Sequence, residues 1–147
     1  MQNGMHVSGL QRIQNMTANL YRVIHPVKDI EIAAQFFSTV LETEGERVSP
    51  GRHYFDCGGT ILACYDPTAD GDDPGDGWRH HQSQYLYFAV GDLDATCQSI
   101  TEAGGEITAE IASMPWGERI FYAKDPFGNP ISFVDQSTVF TGSSASA

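Results

Sequence analysis

Apolar residues recur along this chain in a strand-then-helix pattern that is written twice. A strand-like run ending in Val-x-Asp covers residues 21–30, and a run of the same shape covers residues 84–93. The two aspartates, Asp29 and Asp92, stand where helix N-caps are expected, because apolar residues at helical spacing follow each of them. The pattern therefore predicts two repeats that each begin with a strand and a helix.

Further strand signals follow each predicted helix. Gly45 and the pair Gly104–Gly105 are expected to end the helices, since glycine accepts the left-handed conformation found there. The later strands are predicted at residues 46–48, 52–56, 60–65 and 106–111, and in a hairpin over residues 117–135. The order is therefore strand–helix–strand–strand–strand in both repeats.

The hairpin near the C-terminus has the clearest turn signal in the chain. Two apolar-rich runs flank the sequence Asp125-Pro126-Phe127-Gly128-Asn129. Proline presets the turn, and Gly-Asn tolerates positive φ. The segment therefore predicts two antiparallel strands joined by a tight turn.

The same pattern divides the chain into two modules with polar segments around them. The predicted parts are a flexible leader at 1–18, a first module at 19–66, an acidic linker at 67–83, a second module at 84–136 and a disordered tail at 137–147. The Asp, Gly and Pro of the linker invite a calcium-loop interpretation, but the EF-hand spacing and its closing Glu are absent. A solvated linker is favoured instead.

Charge and cysteine content exclude several classes of function. The net charge is -11, from 8 basic and 19 acidic side chains, so the chain is not expected to bind nucleic acid, and no polybasic run indicates a membrane anchor. Three cysteines without CxxC spacing indicate neither a disulfide framework nor a zinc site. No secretory signal and no apolar stretch of membrane-spanning length is visible. These features predict a soluble, cytoplasmic protein.

The duplicated order and its motifs resemble the vicinal oxygen chelate superfamily, which includes glyoxalase I, extradiol dioxygenases, and fosfomycin and bleomycin resistance proteins. The resemblance covers about residues 19–136 and rests on the paired Val-x-Asp ends, the run Pro115-Trp116-Gly117 and the turn at 125–129, where Phe127 replaces the usual Asp. It implies an α+β fold in which two βαβββ modules with curved mixed sheets surround a shared cavity. It also implies a homodimer.

The resemblance places metal ligands at four positions, on the first and last strand of each module. Carried over to this sequence, those positions are Arg22, Ala63, Tyr85 and Ser132. Arginine has no lone pair to donate and alanine has no donor atom, while tyrosine and serine are weak ligands without carboxylate or imidazole help. No metal and no other cofactor is therefore expected.

Other residues do not restore a catalytic site. His25 is three positions after Arg22, so strand alternation turns it toward the helices, as a core or rim residue. His80 and His81 are adjacent and are interpreted as a solvated loop pair. Cys57 has no histidine fixed beside it by the sequence, and a nucleophile needs such a base.

The expected cavity carries aromatic and polar side chains in place of metal ligands. Such a lining suits a flat or amphipathic small molecule, with Arg22 able to pair with an anion or stack on a ring. The alternative is that Tyr85 and Tyr87 fill the interior while Arg22 pairs with an internal carboxylate. The predicted binding residues are Arg22, Ala63, Tyr85, Tyr87, Trp116, Glu118 and Ser132.

Three functions remain open from the sequence. The leading hypothesis is a metal-independent small-molecule-binding protein, closest in character to bleomycin resistance proteins, that sequesters a drug or metabolite; its acidic charge agrees with a cationic ligand. The second is a lyase, isomerase or oxygenase with a non-standard site, using Tyr85 or Glu118 as acid or base. The third is a structural or regulatory module with a filled cavity.

Overall fold

Each half of the computed structural model contains one α-helix and four strands, and the structure describes residues 18–140. The first half comprises β1 (Arg22–Pro26), α1 (Ile30–Leu41), β2 (Glu46–Ser49), β3 (Arg52–Cys57) and β4 (Thr60–Tyr65). The second half comprises β5 (Leu86–Val90), α2 (Leu93–Glu102), β6 (Glu106–Ser113), β7 (Arg119–Lys124) and β8 (Pro130–Asp135). All but residue 18 of the predicted leader, and the tail from residue 141, lie outside the described residues.

The two modules have the same sheet topology. The strand orders are β1-β4-β3-β2 and β5-β8-β7-β6, so each module forms its own four-stranded sheet. The first and last strands of a module pair in parallel, and the remaining neighbours are antiparallel. The predicted α+β fold of two βαβββ modules with mixed sheets is therefore confirmed.

Both predicted N-caps are present. The Asp29 carboxylate accepts hydrogen bonds from the backbone N–H groups of Glu31 and Ile32, and that of Asp92 accepts one from Ala95. These bonds satisfy donors that the first helical turn leaves without a partner.

The end of α1 differs from the prediction. The helix stops at Leu41 because Glu42 takes the left-handed conformation, with φ of 56°. Gly45 is instead required by close packing, since a Cβ there would lie 2.6 Å from the carbonyl oxygen of Tyr54. The glycine was correctly expected near the helix end, but its role as the stop was wrong.

The helices and one face of each sheet share a single apolar core. Strand alternation sends one set of side chains into this core and the other set to the opposite face of the sheet, which we call the open face. The largest apolar side chains of the core are Phe36, Phe37, Phe55, Phe121 and Phe133, all nearly or fully buried.

The start of the predicted linker is part of the first module. Asp70, in the 3-10 helix Thr68–Asp70, accepts a 2.6 Å hydrogen bond from the backbone N–H of Gly51 and pairs with Arg52 Nη1 at 2.8 Å. Similarly, the 3-10 helix Gln136–Thr138 crosses the predicted boundary between the second module and the tail. Asp70, which the sequence placed in a solvated linker, thus holds the turn between β2 and β3.

Among the described residues, no helix is both long enough and apolar enough to cross a membrane.

Candidate functional site

Three tyrosines cluster on the open face of the second module. The ring centroid of Tyr85 lies 5.3 Å from that of Tyr122, and Tyr87 lies 6.4 Å from each of the other two. None of these pairs is stacked face to face, since the interplanar angles run from 50° to 84°. Tyr85 is 38% exposed and Tyr87 is 54% exposed, so these rings do not fill the interior.

The hydroxyl of Tyr122 stays protonated at neutral pH. Burial raises the pKa of Tyr122 to about 12, and the neighbouring Tyr87 and the charge of Glu118 act in the same direction. The phenol therefore offers a hydrogen-bond donor and a ring face to a ligand, and it does not supply a base.

Ser132 lies beneath this cluster and is fully buried. It sits between Tyr87 and Tyr122 in the sheet register, and its hydroxyl is 3.5 Å from the Leu86 carbonyl oxygen. A short side chain at this position leaves the tyrosine rings room to approach one another across β8.

Trp116 and Glu118 form a second part of the site, in the turn between β6 and β7. The indole Nε1 of Trp116 donates to Glu118 Oε1 at 2.9 Å, and the ring is 62% exposed. The other oxygen of Glu118 accepts from the backbone N–H of Phe140 at 3.2 Å. A cleft of about 380 Å³ joins Glu118 to Tyr87, with Phe140 among its other lining residues.

Arg22 and Ala63 lie on the open face of the first module. The Arg22 guanidinium donates from Nη1 to the Tyr54 hydroxyl at 3.2 Å and lies 5.1 Å from the ring centroid of Tyr21. Ala63 is fully buried between Ile24 and Tyr54 in the sheet register. Within the described residues, no hydrogen bond or aromatic contact links this group to the tyrosine cluster of the second module.

Tyr54 and Tyr122 were absent from the sequence-based set, although the sequence contains the signal for both. The Gly58–Gly59 turn sets the antiparallel register that places Tyr54 opposite Ala63. The turn at 125–129 places Tyr122 opposite Ser132 in the same way.

A larger cleft, of about 690 Å³, adjoins these faces, between the end of α1, the β3–β4 turn and the start of α2. Of the predicted binding residues it contains only Tyr87. The chemistry at its rim is acidic, from Glu42, Asp56 and Asp92, with apolar helix residues between them. We therefore place the candidate site on the open faces, where the aromatic side chains gather.

The residues at the four expected ligand positions do not fit a metal ion. Arg22 is a cation, Ala63 has no donor atom, and Tyr85 and Ser132 offer only hydroxyl oxygens. In residues 18–140, no group of three His, Cys, Asp or Glu side chains is arranged to hold an ion. The donor set therefore gives no route to Lewis-acid chemistry at this site.

A buried histidine–aspartate pair joins the two modules. His25 Nε2 lies 2.6 Å from Asp125 Oδ2, and both side chains are fully buried. Asn129 Nδ2 donates to the carbonyl oxygen of Pro26 at 2.7 Å. The prediction that His25 faces the helices is confirmed, because its ring also packs edge-on against Phe37.

The prediction of a solvated His80–His81 pair was wrong for His80. Its ring centroid is 4.6 Å from that of His25, and its backbone N–H donates to Asn129 Oδ1. Burial, and then the nearby His25, lower the pKa of His80 from 6.5 to about 4. A contact between the loop and the distant hairpin turn buries this ring, and neighbouring residues in the sequence do not reveal it.

The three cysteines are unsuited to nucleophilic chemistry. All are free, and burial is the first cause that raises the pKa of Cys57, Cys64 and Cys97 above the ordinary thiol value. Since the thiolate is the reactive form, none of them is activated at neutral pH.

Comparison with known proteins identifies the family. The model of the Glyoxalase/Bleomycin resistance protein/Dioxygenase superfamily matches residues 19–133, and the chain belongs to this superfamily.

Solved structures show the same fold at low sequence identity. A glyoxalase-related enzyme from Fulvimarina pelagi has a TM-score of 0.69 and 17% identity, covering 86% of this chain and 94% of that chain. A glyoxalase/bleomycin resistance protein from Albidiferax ferrireducens T118 has a TM-score of 0.66 and 21% identity, covering 78% and 97%. A lactoylglutathione lyase from Agrobacterium tumefaciens has a TM-score of 0.62 and 20% identity, covering 82% and 96%.

A curated relative shares part of its sequence with this chain. A lactoylglutathione lyase of Haemophilus influenzae is 29% identical over 65 residues, which are 42% of this chain. The match spans about half the length of that relative, 48%.

Proposed function

We propose that this chain is a metal-independent small-molecule-binding protein that sequesters a drug or metabolite. The observation that carries the proposal is the donor set at the four family ligand positions, which holds Arg22, Ala63, Tyr85 and Ser132. Phenol rings and a guanidinium bind flat or amphipathic molecules well, and they bind divalent metal ions poorly.

The open faces supply the binding surface. Tyr87 and Trp116 are more than half exposed, so their rings are available to stack on a planar ligand. Tyr122 adds a neutral hydroxyl beside them. A ligand held by ring faces and hydrogen bonds would be removed from solution without chemical change.

The proposed working form is a homodimer. Leu20, Tyr21 and Ile24 are 69%, 58% and 42% exposed on or beside the first module's sheet, a cluster of apolar side chains that favours burial against a partner. A second copy that sets this surface against the tyrosine cluster would enclose a ligand between two sheets. The expected partners are therefore a small molecule and a second copy of this chain, with neither nucleic acid nor membrane involved.

We further propose a cytoplasmic location. The three cysteines are free thiols, as is usual for proteins of reducing compartments.

Metal analysis combined with ligand screening tests the function. Protein purified without a histidine tag should contain far less than one equivalent of nickel, zinc, iron or manganese and should remain folded in a chelator. Small aromatic molecules should raise its melting temperature, since a ligand that binds only the folded state stabilises it. One equivalent of a metal, lost together with the fold on chelation, would contradict the proposal.

A second candidate function is a lyase-like enzyme with a non-standard site. The partial match to a lactoylglutathione lyase favours it, and Glu118 or Tyr85 would act as acid or base. Incubation of the purified protein with the hemithioacetal of glutathione and methylglyoxal, from which lactoylglutathione forms, distinguishes the two functions. Conversion above a protein-free control that disappears in Glu118→Gln would favour the enzyme; unchanged substrate favours the binding protein.

A further inference from the structure

The guanidinium of Arg22 is held between aromatic rings on an exposed strand. It lies 5.1 Å from the ring centroid of Tyr21 and 5.5 Å from that of Tyr54, and it donates to the Tyr54 hydroxyl. Arginine keeps its charge at any physiological pH and has five N–H donors in a planar fork. Among the described residues, the Arg22 side chain makes one hydrogen bond, from Nη1 to the Tyr54 hydroxyl, so its other N–H donors remain available.

Arg22 differs from the arginines that have carboxylate partners. Arg47 pairs with Glu31 at 2.9 Å, and Arg52 pairs with Asp70 at 2.8 Å. In the described part of the chain, no Asp or Glu oxygen lies within 4.0 Å of the Arg22 guanidinium. Arg79 also has no carboxylate within this distance, but it lies in the loop before β5, whereas Arg22 lies on a strand of the open face.

The carboxylates on the same open face do not neutralise it. Asp56 shares the row of Arg22 across β4, but its Oδ1 accepts from the backbone N–H of Gly59 in the adjoining turn. Glu46 lies opposite Tyr54 on the edge strand β2, one strand further away. The charge of Arg22 therefore faces the binding surface with only a tyrosine hydroxyl bonded to it.

We infer that Arg22 recognises an anionic group, so that the preferred ligand is a flat apolar molecule carrying a carboxylate. The inference rests on the proposed function, and it names the class of ligand that the same site selects. A carboxylate would accept two N–H bonds from the guanidinium fork, while the apolar body would lie against Tyr54 and Ile24.

The overall charge of the protein favours a cationic ligand, whereas Arg22 favours an anionic one. A net charge of -11 attracts cations from a distance. Salt screens such long-range attraction over about 8 Å at physiological ionic strength, whereas a contact with Arg22 is screened much less. If an anionic ligand binds more tightly than a cationic one, the contact with Arg22 controls selection. If the cationic ligand binds more tightly, the net charge of the protein controls it.

Three probes of one shape test the inference: naphthoate, naphthamide and naphthylmethylammonium. Calorimetric titration at physiological ionic strength should show naphthoate binding about tenfold more tightly than the amide, with the ammonium weakest. Arg22→Gln should remove the preference by weakening naphthoate about tenfold while changing the amide less than about twofold.

Two further variants separate charge, shape and folding. Arg22→Lys keeps the charge but loses the planar fork, so naphthoate should bind with intermediate affinity. Arg47→Gln removes a charge on the helix side of the same sheet and should leave all three affinities unchanged. Circular dichroism checks that each variant is folded, which is expected because Arg22 is exposed.

The outcomes distinguish the two proposals. Equal binding of the three probes, tighter binding of the ammonium, or an equal loss for all probes in Arg22→Gln overturns the role of Arg22 and leaves the binding function standing. No binding of any probe to the natural sequence, in a protein that also gains no stability from other aromatic ligands, contradicts the binding function itself.

Discussion

The open faces of the two modules carry different chemistry on the same strand scaffold, while their inner faces are alike. The row across three neighbouring strands reads Ile24–Ala63–Tyr54 in the first sheet and Tyr87–Ser132–Tyr122 in the second. The residues next to this row in sequence point into the core. Both sheets have phenylalanine there, at Phe55 in the first sheet and at Phe121 and Phe133 in the second. The inner faces are constrained by packing, so the difference between the outer faces is where function is expected to lie.

The largest predicted effect contrasts the inner and open faces of the second sheet. Phe133 is fully buried and stacked, 5.3 Å from Phe88 and 5.1 Å from Phe121 between ring centroids. Phe133→Ala should lower the free energy of unfolding by about 3–5 kcal/mol. Tyr87→Ala, on the exposed face, should cost less than about 1 kcal/mol. Urea denaturation measures both, and equal losses would mean that the open face also supports the fold.

A somewhat smaller effect is expected where the two modules meet. Asp125→Ala removes the carboxylate partner of the buried His25, and the free energy of unfolding should fall by about 3 kcal/mol. Asp135→Ala is the matched control, because its pair with Arg119 is longer, at 3.8 Å, and more exposed, so it should cost less than about 1 kcal/mol. If the two variants lose the same stability, the junction does not depend on the buried pair.

Acid should weaken the same junction through His80. The pKa of His80 is about 4 in the folded protein, against 6.5 for an ordinary histidine, so the unfolded chain binds more protons between these values. The free energy of unfolding that depends on the neutral His80 ring is fully present above pH 6.5. It falls by about 1 kcal/mol as the pH falls toward 4, after allowing for the partial exposure of the ring.

Variants at the two neighbouring histidines isolate this contribution. The natural sequence should lose more stability than His80→Asn over the same pH range, in urea titrations at each pH. His81→Asn changes an exposed ring and should follow the natural sequence. Parallel curves for all three proteins would show that His80 does not cause the acid sensitivity.

Local rules of strand and turn geometry predicted most of the fold. The period of two along each strand separated Phe from Tyr on opposite faces, and the turn residues fixed the register of the hairpins. The same rules placed Arg22, Tyr85 and Ser132 on the open faces. They worked because each depends only on residues close in sequence.

The features that the sequence did not predict depend on contacts between distant segments. His80 is partly buried because the loop before β5 contacts Asn129, 49 positions along the chain. The sequence alone predicts that Asp70 is solvated, but its carboxylate accepts a hydrogen bond from the backbone N–H of Gly51. Helix α1 ends before the expected glycine stop because Glu42 takes the left-handed conformation, whereas Gly45 packs closely against Tyr54.

The smallest predicted effect compares the two helix N-caps, which occupy equivalent places in the two modules. Asp29 accepts two backbone hydrogen bonds, at 3.0 and 3.1 Å, whereas Asp92 accepts one at 3.0 Å. Asp29→Ala should therefore cost about 1 kcal/mol and Asp92→Ala about 0.5 kcal/mol, and hydrogen exchange should speed up in the first turn of the affected helix. Asp94→Ala removes a nearby charge without removing a cap bond, so it controls for the helix dipole. If Asp92→Ala lowers the free energy of unfolding as much as Asp29→Ala does, the second cap stabilises its helix as much as the first. The modules would then differ in their open faces but not in how their helices begin.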